Sequence, residues 1–125
     1  MRTESYKEFE DGPWLSKKSM EWFVNAYLSD STKKDHYTVS VLNSTNEQLR
    51  NLPQALIITD ENDVLRDEGE KYAHKLMNAG VEVVTVRYLG TIHDFLILKP
   101  LKETSAVKNA LNLIIMQINN ILNQK

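Results

Sequence analysis

Two short apolar runs constrain this chain most. The first, Ala55-Leu56-Ile57-Ile58-Thr59, follows Pro53 and stops at Asp60-Glu61-Asn62-Asp63. The second, from Val81 to Tyr88, is rich in β-branched residues, which favour the pleated, half-buried surface of a strand. Continuous apolar runs of this length are what strands buried on both faces of a parallel sheet require. Between them, residues 66 to 79 place Tyr72, Ala73, Leu76 and Met77 on one helical face, with Gly80 as the C-terminal stop. A last helix is expected over about 103 to 121, with Val107, Ala110, Leu111, Ile114, Ile118 and Ile121 as its stripe. Strand, helix, strand, helix at these lengths predicts an α/β fold built on a βαβα unit with parallel strands and a right-handed crossover.

Such a unit is incomplete by itself. Two parallel strands leave both edges open, and apolar strands of this kind expect neighbours on either side. The final helix, with its Leu113-Ile114-Ile115-Met116 run, is also more apolar than two strands can cover. The pattern is that of one end of a larger sheet, so pairing of the exposed edges with a second copy is expected, giving a homo-oligomer.

The first half is less punctuated. Residues 1 to 15 are polar, with a turn at Asp11-Gly12-Pro13. Ser16 is placed to cap a helix over 17 to 28, where Met20, Phe23, Val24 and Tyr27 recur at helical spacing. The stretch from Ser29 to Asn51 is polar, and the alternation of Tyr37, Val39 and Val41 fits either a short strand over 37–42 or an extended loop. We therefore treat 1–125 as one domain, an N-terminal helical and loop region over 1–51 followed by the βαβα unit over 52–125.

Composition removes several function classes. Fifteen basic and seventeen acidic residues leave a net charge of -2, without the basic excess of a nucleic-acid binder. The absence of cysteine excludes disulfides, thiolate metal sites and a cysteine nucleophile. The charged start is not a signal peptide and no run of about 18 apolar residues offers a membrane span, so the default expectation is the cytoplasm. Asp60-Glu61-Asn62-Asp63 fails the calcium-loop pattern at Val64 and at the required glycine. His36, His74 and His93 lack metal-ligand spacing, so no metal is expected.

Two ordered motifs carry a resemblance. Leu52-Pro53-Gln54-Ala55-Leu56-Ile57-Ile58-Thr59, followed by Asp63-Val64-Leu65-Arg66-Asp67-Glu68-Gly69, resembles the LPPALVITA…DPLRDEG signature of the hormone-sensitive-lipase family of α/β-hydrolases. Arg87-Tyr88-Leu89-Gly90-Thr91-Ile92-His93-Asp94-Phe95 is similar to that family's RYPGMIHGF. Ser5-Tyr6 through Trp22-Phe23 resembles the stretch that forms the lid side of the acyl pocket. The resemblance implies a partial α/β-hydrolase fold and carboxylesterase or lipase chemistry without a cofactor. It makes Asp63 the triad acid and His93 the triad base. Trp14, Trp22, Phe23 and Tyr27 are candidates for the acyl pocket, or equally for core packing.

Departures from the signature matter too. Val64 and Leu89 replace prolines and Asp94 replaces a glycine, changes expected to loosen the geometry. A carboxylate at 94 beside the base would favour charged His93. Glycines stand at 12, 69, 80 and 90, and no two are spaced to form the G-x-S-x-G elbow or the HGGG oxyanion motif. A triad without its nucleophile loses on the order of a million-fold in rate, so these residues alone are expected to be inactive toward esters. Three origins fit: a fragment, a degenerate gene product, or one subunit of a split enzyme whose partner is a nucleophile-bearing N-terminal half. A non-catalytic, self-associating module is the alternative.

Overall fold

The computed structural model describes residues 3–28 and 33–123. The order of elements is α1 (Glu4–Glu8), α2 (Lys17–Tyr27), α3 (Asn46–Leu49), β1 (Ala55–Asn62), α4 (Arg66–Asn78), β2 (Val83–Ile92) and α5 (Ser105–Leu122). Short 3₁₀ turns lie at Val41–Asn43 and Lys99–Leu101.

β1 and β2 pair in parallel, from Ala55 opposite Val83 to Asp60 opposite Tyr88. They form a two-stranded sheet among the described residues. The expected βαβα unit is therefore present, with both strands running several residues beyond the apolar runs. Asn62 pairs with Ile92, so a single residue of β1, Glu61, faces Leu89, Gly90 and Thr91 of β2. This bulge turns the end of β2 toward the end of β1.

α4 crosses between the strands and ends in a Schellman motif. Gly80, at φ 83°, lets its own amide bond to Met77 O and the Val81 amide to Leu76 O, both at 3.0 Å. Leu76 and Val81 are buried in the same cluster as Leu49, the hydrophobic contact that accompanies such a cap. Against β1 the approach is close: a Cβ on Gly69 would lie 2.9 Å from Thr59 Cγ2. On another flank of β1, Phe95, Val107 and Ala110 bury themselves with Ile58 and Tyr88 packed against them.

Several expectations are corrected. Residues 37–42 are turns leading into a 3₁₀ segment, not a strand. Of the polar stretch 29–51, residues 29–32 lie outside the described ones. Two short helices, α1 and α3, appear in segments read as irregular. α3 carries a complete capping box, with the Gln48 amide bonded to Thr45 Oγ1 and the Thr45 amide to Gln48 Oε1. β1 is also less covered than a strand sealed on both faces, since Ala55 to Ile58 are half-buried. Among the described residues no third strand stands beside it to cover it. Leu111, Ile115, Met116, Ile118 and Ile121 of α5 are exposed, as the excess apolar surface of that helix predicts. No described helix is long and apolar enough to cross a membrane.

Candidate functional site

The carboxyl ends of β1 and β2, where open α/β sheets place their sites, bring two expected residues together. Asp63 leaves β1 at the loop into α4, and His93 follows the last residue of β2. Thirty positions apart in sequence, they meet with His93 Nδ1 2.9 Å from Asp63 Oδ2. A carboxylate can only accept, so Nδ1 carries the proton and Nε2 is left with its lone pair. The other oxygen of Asp63 accepts the Leu65 amide at 2.9 Å, which orients the carboxylate from behind. Asp63 is buried and His93 is partly open. The bond to Asp63 holds the imidazole above its ordinary pKa. Burial opposes this, and the charges of Asp63, Asp94 and Asp60 add to it.

The acid loop is held by the N-terminal helix. Ser5 is fully buried, and its hydroxyl donates to Val64 O at 2.7 Å while accepting the Asp67 amide at 3.3 Å. The Ser5 amide in turn donates to Asp67 Oδ2 at 2.9 Å. Val64, fully enclosed, packs with Tyr6 and Leu15. Arg66 completes the brace: Nη1 bonds to Glu61 O at 2.9 Å, Nη2 to Glu8 at 3.0 Å and Nε to Asp67 at 3.0 Å. Its guanidinium also lies 5.3 Å from the Phe9 ring centre. Val64, where the family signature has proline, is held instead by burial and by the bond from Ser5 to its carbonyl. At Asp67 the opposing influence of burial is outweighed by the bonds from Ser5 and Arg66, which hold its carboxyl below the usual range.

The histidine loop is built differently. Asp94 adopts a positive φ of 65°, the left-handed conformation that explains a glycine in the family signature. Its Oδ1 lies 3.5 Å from His93 Nε2, and its Oδ2 accepts the Trp14 indole N–H at 3.1 Å. The carboxylate at 94 therefore stands on the side of the imidazole that a nucleophile would approach. Sequence motifs showed the residue but not its tether.

Beside the pair lies an open trough lined by Tyr6, Met20, Phe23, Tyr27, Leu96 and others. Phe23 and Tyr27 line it, as the pocket reading expects, whereas Trp14 tethers Asp94 and Trp22 packs edge-on against Phe23 at 5.2 Å. All four aromatics are more than half exposed, so the core-packing alternative is corrected.

Asp60 is the residue sequence reasoning passed over. It is buried, and a ligand atom from each of Asp60, Asp63 and His93 falls within 4.8 Å of the others. A cation would have to displace bonds already made, because His93 Nδ1 and both Asp63 oxygens are engaged within the protein. The available signal was the family signature itself, which has alanine at this place.

Comparison with known proteins identifies the fold family. A protein-family model described as an α/β hydrolase fold matches residues 1–97. A protein of Acanthamoeba polyphaga mimivirus named as an α/β hydrolase is 50% identical over 97% of this chain, which spans 35% of that protein. The arylesterase of Saccharolobus solfataricus is 42% identical over 62% of this chain and 24% of its own length. A thermostable esterase from Pseudomonas putida superposes with a TM-score of 0.84 at 50% identity, covering 87% of this chain and 34% of the esterase. An esterase from Pyrobaculum calidifontis gives 0.86 at 35% identity, covering 98% and 39%. The chain thus spans roughly a third of the relatives it matches.

Proposed function

The chain belongs to the α/β-hydrolase fold family, among its esterases and lipases, and from that premise we propose that it is the acid–histidine segment of a serine carboxylic ester hydrolase. Asp63 is the acid, His93 the base, and the serine and oxyanion donors come from polypeptide outside these 125 residues. The observation that carries this reading is the Asp63–His93 bond, which fixes the tautomer in which Nε2 keeps its lone pair. In the reaction, the serine O–H proton passes to Nε2 as Oγ bonds to the ester carbonyl carbon. The Nε2 proton is then given to the alkoxide as the C–O bond breaks. Water repeats the two steps on the acyl-enzyme and releases the acid. Residues 52–125 supply the acid and base, and 1–51 brace the acid loop and wall the trough, as one domain.

By itself the chain does not turn over esters. The test is hydrolysis of a short-chain nitrophenyl ester by the pure chain, beside His93→Ala, and again with a second polypeptide that carries a G-x-S-x-G elbow added. No turnover alone, and His93-dependent turnover on complementation, support the proposal. Turnover by the chain alone that His93→Ala abolishes would reveal an unrecognised nucleophile and overturn it.

A second reading, a self-associating non-catalytic module, is favoured by the open sheet edges and the exposed stripe of α5. It predicts a dimer or larger species by light scattering, and a monomer at high concentration rules it out.

A further inference from the structure

Three successive residues at the end of β1 hold the bulge of β2 that leads into His93. Glu61 Oε2 accepts the Gly90 amide at 2.6 Å. Asn62 Nδ2 donates to Thr91 O at 3.1 Å. Asp60 Oδ1 lies 3.2 Å from Thr91 Oγ1. The first two links need no change of protonation. The third does.

Thr91 and Asp60 are both buried. The Thr91 hydroxyl has one proton, and its Oγ1 lies 2.7 Å from the Tyr88 carbonyl oxygen. A carbonyl only accepts, so the shorter contact takes that proton. Toward Asp60 the hydroxyl then presents a lone pair. An ionised carboxylate there would face a lone pair in a buried place, an arrangement that costs free energy for both groups. A carboxylic acid, by contrast, donates its own proton and satisfies both oxygens.

The surroundings push the same way. The charged groups facing Asp60 are Asp63 from the loop before α4 and His93 and Asp94 from the loop after β2. Burial is the dominant influence and raises the Asp60 carboxyl to about 6. His93 opposes the rise, as Thr91 would only if its proton went to Asp60 instead of Tyr88, while Asp63 and Asp94 add to it.

We propose that Asp60 is a positioning residue for the acid–histidine pair: as a neutral carboxylic acid it donates to Thr91 Oγ1 and anchors the strand end that carries His93, and on ionising it lets that anchor go. The proposal rests on the reading of Asp63 and His93 as acid and base. It adds that the two titrations are coupled, because ionised Asp60 places a second negative charge near Asp63 and favours the charged imidazole. The strand end is therefore best anchored when Asp60 is protonated, and it relaxes as Asp60 loses its proton.

The test is a pH titration of the intact chain by NMR, with the aspartate carboxyl carbons and histidine nitrogens labelled, in wild type, Asp60→Asn and Asp60→Ala. The Asp60 carboxyl carbon should titrate near 6, well above the ordinary value of about 3.9, and Thr91 signals should follow the same midpoint. Asp60→Asn keeps an N–H donor at every pH, so Thr91 should stay in its low-pH position throughout. Asp60→Ala should hold Thr91 in a displaced position at every pH. An Asp60 midpoint in the ordinary carboxylate range means Thr91 shares its proton and overturns the proposal. So does a Thr91 step that survives in Asp60→Asn. The underlying reading fails separately, through an Asp63→Asn variant whose His93 titration matches wild type.

Discussion

Ser5 is the side chain through which the N-terminal helix holds the loop of Asp63, and Ser5→Ala measures that link. The substitution removes one buried oxygen and leaves the shape nearly unchanged. Its partners are the Val64 carbonyl at 2.7 Å and the Asp67 amide at 3.3 Å, with Thr3 Oγ1 at 3.0 Å. The bond from the Ser5 amide to Asp67 is main-chain and survives. A net hydrogen bond contributes about 1 kcal/mol, and a buried group left without a partner costs about 1–3 kcal/mol. Two backbone groups lose a partner, and Thr3, nearer the chain end, can turn elsewhere. The expected loss is therefore about 2–4 kcal/mol, a large part of the 5–15 kcal/mol or so that holds a domain together. With a urea slope of roughly 2 kcal/mol/M, the middle of the usual range, the midpoint should fall by about 1–2 M. Denaturation followed by circular dichroism reads this directly. Lys7→Ala, which breaks only the exposed Lys7–Glu4 pair, is the control and should leave the midpoint in place. A Ser5→Ala loss below about 0.5 kcal/mol, the ordinary range of surface substitutions, would mean that α1 does not brace the acid loop.

Asp63→Asn should remove a pH dependence of stability. The bond to Asp63 raises the pKa of His93, so the pairing stabilises fully below the unfolded value of about 6.5 and fades as pH rises through the folded one. Urea midpoints of wild type and variant should differ more at mildly acid than at alkaline pH, and equal gaps would refute the coupling. Gly80→Ala meets no atom within 4 Å, so its cost is backbone strain at positive φ, about 1–2 kcal/mol by thermal or urea unfolding. Gly69→Ala should destabilise despite better helix propensity, because the new Cβ would sit 2.9 Å from Thr59 Cγ2. A more stable Gly69→Ala protein would show that α4 can move off β1.

What the sequence disclosed was whatever has a local cause. The strands are β-branched runs, α4 ends at a glycine, and the order of two motifs placed Asp63 and His93 at the ends of neighbouring parallel strands. α3 was legible in principle, because Thr45-x-x-Gln48 is a capping box set in an otherwise polar stretch. What stayed hidden depends on contacts between distant residues. Nothing local to Ser5 says that its hydroxyl bonds a carbonyl fifty-nine positions away, and α1 has no side-chain cap to announce it. Trp14 reaches Asp94 across eighty positions, and the pairing of Asp60 with Thr91 exists only after the bulge forms.

This division bears on how the site works. Among the described residues, the Asp63–His93 pair is oriented by the Leu65 amide behind Asp63, by Ser5 and Arg66 around its loop, and by residues 60 to 62 against the end of β2. On the proposed reading the pair is arranged before any serine arrives, and a nucleophile-bearing segment would need only to dock. What this chain lacks is cover: the exposed face of α5, the aromatics of α2 and the free edges of both strands are apolar or unpaired. A docking segment that buried those surfaces would contribute hydrophobic free energy in proportion to their area without having to build the acid–base geometry. Asp94 alone stands in its way, since the tether to Trp14 keeps a carboxylate against the Nε2 side of His93. If such a segment docks, it must displace that carboxylate or accommodate it beside the serine hydroxyl, which would make the Asp94–Trp14 bond the contact where assembly and chemistry meet.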